Sequence, residues 1–400
     1  MLYRRLAALA VISVFVFTGC EELLENDAPG PGGTEVIDGD ISDDITWEAD
    51  VDYVVTDVVD ITGELTVEPG TRIEFEEFAG LRIKDRFTVE GTEDDPIMFT
   101  GTEETPGHWM GLWVRQTEHP GNSFDHVIVE YGGADSFHDD QYAANLAFSR
   151  SDGSRLRWGA EMALTNTTLR YSGGHGLSAQ RRGDFLDFED NTFVDNEEGP
   201  VSVCHAIAHQ LDDGSEYTDN GTDAILVHNT GSAGDDEMDW EDLGVPYRLH
   251  GTSHEFSSGR ITIHPGVTVE FEEFAGLRFT SGTNVRGTED DPILFTGTEE
   301  RPGHWKGLWL RRTTNSINSF EHIIVEYAGQ TEHHAEPAGL TIAESGPLQY
   351  DASVEVHDSL FRNNDGYGIV YHDVRATVND DIDEVNEFEN NAEGEIYVDD

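Results

Sequence analysis

The side chains best placed to bind a ligand occur in one short motif that the chain carries twice. The segment HWMGLWVR begins at His108, and HWKGLWLR begins at His304. Because side chains alternate along a strand, an inward Leu112 would turn Trp113 and Arg115 outward. An exposed aromatic ring beside a guanidinium group can stack on a sugar or contact a protein. Unless a loop covers the rings, the motif predicts two candidate ligand-binding sets: His108, Trp109, Trp113 and Arg115, and His304, Trp305, Trp309 and Arg311.

Repeated histidines and acids form a second group of candidates. His126 precedes Glu130 by four residues, and His322 precedes Glu326 by the same spacing. Residues two apart share a strand face, so each pair could transfer protons or bind a metal ion. No nucleophile or third ligand accompanies them, and a role in building the fold is favoured. Further histidines in matching loop regions are expected to be exposed and unimportant: His138, His333 and His334.

Two acidic turns are weaker candidates for calcium. The tripeptide EDD precedes an apolar strand in both copies, at Glu93 and again at Glu289. Neither turn has the ligand spacing of a defined calcium loop, so a polar turn is favoured over a weak Ca²⁺ site. The candidate ligands are Asp94, Asp95, Asp290 and Asp291, and no other cofactor is predicted.

Short alternations of apolar residues indicate the elements that hold these groups. Equivalent positions such as Val67 and Val89, or Phe75 and Phe99, recur after 22 and 24 residues. Alternation indicates strands with one buried face, and no stretch has a convincing helical period. Three short strands and their turns in each period predict one triangular coil of an all-β, right-handed parallel β-helix. Recurring asparagines are expected to stack inside the turns: Asn191, Asn196, Asn386 and Asn391.

A much longer repeat divides the chain into two homologous halves in tandem. The nine residues EFEEFAGLR begin at Glu74 and return unchanged at Glu270, an offset of 196 residues. The first half is expected to span residues 45–230 and the second residues 236–400, with a short acidic junction between them. Every functional motif can therefore be checked against its own second copy.

The net charge limits the partners that the protein can have. The chain has 81 acidic and 23 basic residues, which gives a formal net charge of −58. Because the acids are mixed with aromatic and β-branched residues, the composition is not typical of a disordered chain. Salt at molar concentration screens such self-repulsion, so the composition favours a salt-adapted surface. Nucleic acid is excluded as a partner, since no basic patch could neutralise phosphates.

The N-terminus predicts export and lipid attachment. Arg4 and Arg5 precede a mostly apolar stretch of 12 residues, which is too short to span a bilayer. The segment FTGC then resembles a bacterial lipobox, which implies a signal peptide over residues 1–19 and a lipid on Cys20. Residues 20–44, rich in acids, Gly and Pro, are expected to be a flexible linker. The prediction is a membrane-anchored envelope protein, in which Cys204 is a small buried residue.

Several phrases together resemble one family of bacterial proteins. LTVEPGT, ITIHPGVTVEFEE, GTEDDPIMFTGT, HWMGLWV, FDHVIVEYGG and LRYSGGHGLS look like segments of exported β-helix lipoproteins with a pectin-lyase-like fold. The resemblance covers most of residues 43–400. It implies the fold far more than a function, because many members have no assigned activity.

The sequence favours a structural or ligand-binding role, in which a polysaccharide or a surface protein is the partner. The alternative is a polysaccharide lyase or glycoside hydrolase that acts on acidic polysaccharide. Fragments similar to those of polygalacturonases occur, but their order differs, and Tyr367 replaces His175 in the second copy. These fragments are Arg82-Ile83-Lys84, Gly174-His175-Gly176 and Asp235-Asp236.

Overall fold

The computed structural model describes residues 32–138, 141–149, 159–180, 182–229, 237–257, 259–330, 336–343 and 351–399. The predicted signal peptide, Cys20, Asp235, Asp236, His333 and His334 lie outside these residues. Part of the segment predicted as linker is a strand, β1 (Thr34–Ile37), which pairs with the next coil and buries Ile37. The expectation of a flexible linker is therefore wrong for these residues, because the strand pairs with β3 and Ile37 extends the core.

Three sheets form the faces of the first half. Sheet A contains β1 (Thr34–Ile37), β3 (Asp52–Val55), β6 (Arg72–Phe75), β9 (Ile97–Gly101), β12 (Val127–Glu130), β15 (Thr168–Arg170) and β18 (Thr192–Val194). Sheet C contains β2 (Ile45–Trp47), β5 (Leu65–Val67), β8 (Phe87–Glu90), β11 (Thr117–Asp125), β14 (Ala160–Thr165) and β17 (Gly183–Glu189).

Sheet B is the third face, and it continues without interruption through the second half. Its 13 strands are β4 (Val58–Ile61), β7 (Gly80–Ile83), β10 (Gly111–Val114), β13 (Ala144–Phe148), β16 (His175–Ala179), β19 (Gly199–Cys204), β20 (Ile225–His228), β22 (Tyr247–His250), β25 (Thr268–Phe271), β28 (Ile293–Gly297), β31 (Ile323–Glu326), β35 (Leu360–Arg362) and β38 (Glu387–Glu389).

Three further sheets complete the second half. Sheet D contains β21 (Met238–Trp240), β24 (Arg260–Ile263), β27 (Gly282–Arg286), β30 (Ser319–Glu321) and β34 (Glu355–His357). Sheet E contains β23 (His254–Phe256), β26 (Leu277–Phe279), β29 (Leu308–Leu310), β32 (Ala338–Ile342), β36 (Tyr367–His372) and β39 (Gly394–Asp399). Sheet F pairs β33 (Ala352–Ser353) with β37 (Ala376–Thr377).

The all-β parallel β-helix predicted from the sequence is confirmed. The strand pairs between successive coils are parallel and run from β1 at one end to β39 at the other. In the described part of the chain, helical structure is limited to one short 3-10 turn, Ala208–Gln210. Within the described ranges, no helix is long and apolar enough to cross a membrane.

Aromatic and β-branched side chains fill the interior of the column. Each strand turns alternate residues inward, as in β6, where Ile73 and Phe75 are fully buried. Phe75 stacks on Trp109 with ring centroids 3.9 Å apart, and Phe271 stacks on Trp305 at 3.8 Å. These stacked rings remove large apolar surfaces from water and hold neighbouring coils in register.

Buried asparagines connect the turns of successive coils, as the sequence predicts. Asn196 Oδ1 accepts the backbone N–H of Ser172 at 3.1 Å, and its amide donates to the carbonyl of Leu169 at 3.0 Å. It also donates to Oδ1 of Asn220 at 2.9 Å. Asn364 and Asn391 repeat the arrangement in the second half. Backbone groups that have no partner within their own turn are satisfied in this way.

The two halves form one column, but their equivalent faces are not aligned. Strand β6 of the first copy lies in sheet A, whereas its counterpart β25 lies in sheet B. Sheet B passes from β7 through β10, β13, β16, β19, β20 and β22 to β25, which is seven coils. Since β6 lies one face before β7, the offset of 196 residues equals seven coils and one face. Equivalent surfaces of the two halves therefore point in different directions.

Candidate functional site

The two predicted aromatic surfaces are not exposed. Trp113 and Trp309 lie outside the core, as strand alternation predicts, but each exposes only 3% of its surface. Trp113 packs 5.6 Å from the ring of Phe137 in the following loop, and its indole N–H donates to the carbonyl of Ser149. A long connection thus folds back over the strand and covers the ring.

The arginines of the motif contact the same indole rings. The Arg115 guanidinium lies 4.3 Å from the centroid of the Trp113 ring, and Arg311 lies 4.1 Å from that of Trp309. Arg278 of the preceding coil also lies over Trp309, at 4.5 Å. These cation–π contacts are formed within the chain, so the expectation of ring faces open to a ligand is wrong.

The remaining residues of the motif take structural positions. Trp109 and Trp305 are core residues whose indole N–H groups donate to the carbonyls of Glu130 and Glu326. His108 is half-buried, and its Nε2 lies 3.0 Å from Thr102 Oγ1. His304 makes the same contact with Thr298 and is 2% exposed.

The predicted pairing of His126 with Glu130 does not form. His126 has a left-handed backbone (φ 51°) at a corner, so strand alternation does not extend to it, and its Nδ1 lies 3.0 Å from Asp125. Glu130 is buried and bridges three coils, because it accepts hydrogen bonds from Thr100 and Arg170. Glu326 makes the same bridge with Thr296 and Arg362, which supports the role in building the fold.

The acidic turns and the polygalacturonase-like fragments do not converge on a site. The backbone N–H groups of Asp95 and Asp291 donate to Thr92 and Thr288, as in ordinary polar turns. Their acidic neighbours Asp94 and Asp290 are exposed. His175 is buried beside Glu198, three coils from β7, the strand that contains Arg82 and is followed by Lys84. His138 is half-buried rather than exposed.

A corner of the first half carries an aromatic residue in four successive coils, which we call the first aromatic ladder. It consists of Phe78, His108, Tyr131 and Tyr171. The backbone N–H of Phe78 donates to the carbonyl of His108 at 3.0 Å, and that of His108 donates to Tyr131 at 2.9 Å. The rings of Tyr131 and Tyr171 stack with centroids 5.3 Å apart and an interplanar angle of 10°. At about 4.8 Å per coil, the ladder is roughly 14 Å long.

The ladder is both exposed and polar. Phe78 exposes 57% of its surface, and Tyr131 and Tyr171 are half-buried. Arg170 lies 5.4 Å from the centroid of the Tyr171 ring. Burial raises the pKa of Tyr131, and the carboxylates of Glu130 and Glu104 raise it further. The phenol therefore stays neutral and can donate a hydrogen bond.

The second aromatic ladder repeats this corner in the second half. It consists of Phe274, His304 and Tyr327, with backbone hydrogen bonds of 3.2 and 3.0 Å between successive members. Phe274 is 44% exposed, and Asn363 occupies the position of Tyr171. Burial, followed by the charges of Glu326 and Glu300, raises the pKa of Tyr327.

Sequence reasoning missed the ladders because their rings lie on turns rather than on strands. Phe78 and Phe274 have φ values of 61° and 66°, and Tyr131 and Tyr171 have 63° and 53°. A pattern of strand alternation does not assign turn residues to a face. One available signal was that Phe78 recurs as Phe274 among glutamates, where no apolar residue is needed for the core.

Among the described residues, one group has three side chains that could hold a metal ion together. The group is Glu321, His322 and Asp358, whose ligand atoms all lie within 4.8 Å of one another. His322 was a candidate from the sequence, whereas its two neighbours were not. The suggested Ca²⁺ ligands Asp94, Asp95, Asp290 and Asp291 do not belong to it.

Comparisons of the chain with protein-family models, with curated proteins and with solved structures find no match.

Proposed function

We propose that the protein is an exported, lipid-anchored β-helix that binds a neutral glycan at its two aromatic ladders without cleaving it. One observation carries the proposal. Phe78 and Phe274 are exposed in both copies, although a left-handed backbone costs a non-glycine residue about 1–2 kcal/mol. A strained and exposed aromatic residue that neither packs the core nor eases the turn is expected at a binding site.

The side chains of the ladders suit a sugar. Ring faces can stack on the apolar faces of pyranoses, while phenol groups and carboxylates exchange hydrogen bonds with hydroxyl groups. The rings of Tyr131 and Tyr171 form a stacked pair. Glu104 is exposed, and its carboxylate lies close enough to raise the pKa of Tyr131. A mostly apolar contact with a few polar groups at its edge is the usual composition of a ligand site.

The charge of the protein favours a neutral glycan over an acidic one. With a net charge of −58, the surface repels polyanions unless salt screens the repulsion. Like charges across an interface oppose binding. A lyase or hydrolase of acidic polysaccharide remains the alternative function.

Affinity electrophoresis and calorimetry with the full chain in 1 M NaCl test the proposal. Neutral β-glucans and mannans are compared with pectate and alginate, and reducing and unsaturated ends are measured in the same samples. We expect retention by a neutral polymer without new ends. Release of ends from any polymer would establish the enzymatic alternative, and no binding to any polymer would refute the proposal.

Two variants identify the binding surface. Phe78→Asn combined with Phe274→Asn is expected to weaken glycan binding at least tenfold, because both exposed rings are lost. Val374 is 73% exposed and belongs to neither ladder, so Val374→Asn is the matched control and should bind normally.

Lipid attachment requires a separate test. Cys20→Ala is expected to move the protein from the membrane fraction to the soluble extract and to abolish labelling by a fatty acid. Unchanged labelling would contradict the proposed anchor.

A further inference from the structure

We propose that the second half binds a first-row transition-metal dication, such as Zn²⁺, through Glu321, His322 and Asp358. The proposal is independent of glycan binding. It rests on the geometry of the three side chains, on the cleft that His322 and Asp358 line, and on a contrast with the same corner of the first half.

Two adjacent coils bring the three side chains together. Glu321 ends strand β30, and His322 follows it at the corner between sheets D and B. Asp358 occupies the same corner one coil further on. His322 and Asp358 have φ values of 48° and 49°, so equivalent turns stack and place the side chains on one side. One ligand atom from each residue lies within 4.8 Å of the others.

His322 and Asp358 line an open cleft of about 470 Å³. Two further carboxylates, Glu289 and Glu387, line the same cleft with the hydroxyl groups of Thr288 and Ser359. Water molecules or additional oxygen ligands can therefore complete the coordination of a metal ion. Open access also allows the ion to enter without unfolding of the corner.

In the first half, the residues at the equivalent corner hydrogen-bond to one another. Asp125, His126 and Asn166 occupy the positions of Glu321, His322 and Asp358. Oδ1 of Asp125 accepts hydrogen bonds from Asn166 at 2.8 Å and from Thr165 at 2.9 Å, and it lies 3.0 Å from His126 Nδ1. Burial alone would raise the Asp125 pKa, but these neighbours together hold it below its ordinary value.

The second half loses these donors. Asp358 replaces the amide of Asn166 with a carboxylate, and His357 replaces Thr165. His357 is directed to Glu355, with 3.0 Å between Nε2 and Oε2. Among the described hydrogen bonds, none joins Glu321, His322 and Asp358 to one another. Glu321 Oε2 lies 3.8 Å from Arg286 Nε, in an ion pair that is exposed to water. The exchange of amide for carboxylate therefore replaces the hydrogen-bonded network of the first half with three side chains that can each offer a ligand atom.

The ligand set indicates the class of metal. Ca²⁺ and Mg²⁺ prefer oxygen ligands alone, whereas an imidazole with carboxylates suits zinc and its first-row neighbours. A nitrogen ligand also remains effective in strong salt, where screening weakens purely electrostatic attraction. This distinguishes the group from the many surface acids of the chain.

Metal binding is tested with Zn²⁺ and Co²⁺ on the full chain, after treatment with a chelator, in 1 M NaCl. We expect one saturable site by calorimetry and a visible Co²⁺ absorption band. Asp358→Asn is expected to reduce the affinity at least tenfold while the fold is kept, because Asn166 is accommodated at the same position of the first half. His322→Asn should abolish the Co²⁺ band.

Two further variants make the test specific. Glu355→Gln alters a neighbouring acid outside the group and should leave binding unchanged. Asn166→Asp builds the second-half arrangement in the first half and is expected to raise the stoichiometry from one towards two. No saturable binding by the wild-type chain, or full binding by the Asp358→Asn variant, would overturn the proposal.

Discussion

At Phe78 and Phe274, the exposed ring is proposed to serve binding, whereas the backbone conformation of the same residue lowers stability. Phe78 and Phe274 have left-handed backbones and gain little from burial. Asparagine tolerates this conformation better than phenylalanine does. Each Phe→Asn substitution is therefore expected to increase the free energy of unfolding by about 1 kcal/mol, since part of the left-handed cost is removed.

Urea unfolding of each single variant measures this gain, and glycan binding is measured on the same samples. Higher stability together with weaker binding is the expected pair of results. A loss of stability would mean that the rings pack on the protein and would argue against a role in binding.

Buried histidines near the junction of the halves, His228 on sheet B and His254 on sheet E, make the fold sensitive to acid. Burial and neighbouring histidines lower the pKa of His228 and of His254 to about 3. Gln180 Nε2 lies 3.2 Å from His228 Nε2, which suits a neutral ring as acceptor. In the unfolded chain both residues titrate near 6.5. Between these values the unfolded state binds more protons, so stability is complete above about pH 6.5 and falls as the pH decreases towards 3.

Unfolding experiments between pH 7.5 and 5 test this expectation. The His228→Gln variant should lose less stability on acidification than the wild-type protein does, because one of the buried rings no longer titrates. His119 is exposed, and His119→Gln should retain the full dependence. If the free energy of unfolding decreased equally with pH in all three proteins, His228 would not be a source of the acid sensitivity.

At the level of elements, the strands could be predicted from the sequence, but the loops that pack over them could not. Alternation such as that of Ile73 and Phe75 follows from burial of one face, which is a local property of the sequence. The burial of Trp113 depends on a loop that carries Phe137, and no local pattern indicates where a long loop packs. The left-handed backbone at the corners of Phe78 and Tyr131 could not be predicted from the sequence either, because most residue types can occupy a turn.

The asparagine ladder is expected to dominate the stability of the corners that it connects. Asn196 is 1% exposed and hydrogen-bonds to Ser172, Leu169 and Asn220. Asn196→Ala leaves the buried backbone N–H of Ser172 without its acceptor and removes one of the hydrogen bonds to the carbonyl of Leu169, which together cost about 2–4 kcal/mol. Chemical denaturation measures the loss.

Asn391 provides a matched control for this substitution. It makes similar bonds to Asn364 and Phe361, but it lies half-buried near the end of the column. Water can replace its bonds there, so Asn391→Ala should cost clearly less. Equal costs for the two substitutions would show that the ladder bonds matter independently of burial.

At the level of the whole molecule, the continuous column keeps many like charges at fixed positions. The net charge of −58 cannot be relieved by separation of the halves, because sheet B passes through both. The Debye length falls from about 10 Å at 0.1 M salt to about 3 Å at 1 M, which screens most of the repulsion. We therefore expect the melting temperature to rise steeply with NaCl over this range.

Calorimetric scans in NaCl and in sucrose separate screening from solute exclusion. Sucrose stabilises proteins through its exclusion from the surface and leaves charges unscreened. A steep rise with NaCl and only a shallow rise with sucrose is the expected result. A melting temperature independent of NaCl would contradict the salt-adapted surface inferred from the composition.

The rotation between the halves determines how two binding ladders can act together. Phe78 lies at the corner between sheets A and B, whereas Phe274 lies at the corner between sheets B and E. The ladders are seven coils and one face apart, which is roughly 35 Å along the axis at about 4.8 Å per coil. One straight glycan chain cannot lie on both corners, so each protein molecule should bind two chains and link them.

Crosslinking of a soluble neutral glycan is measured as turbidity. Turbidity is expected with the wild-type protein and should disappear with Phe78→Asn or with Phe274→Asn alone, although each single variant still binds the glycan. Undiminished turbidity with both single variants would mean that the ladders are not the two linking sites.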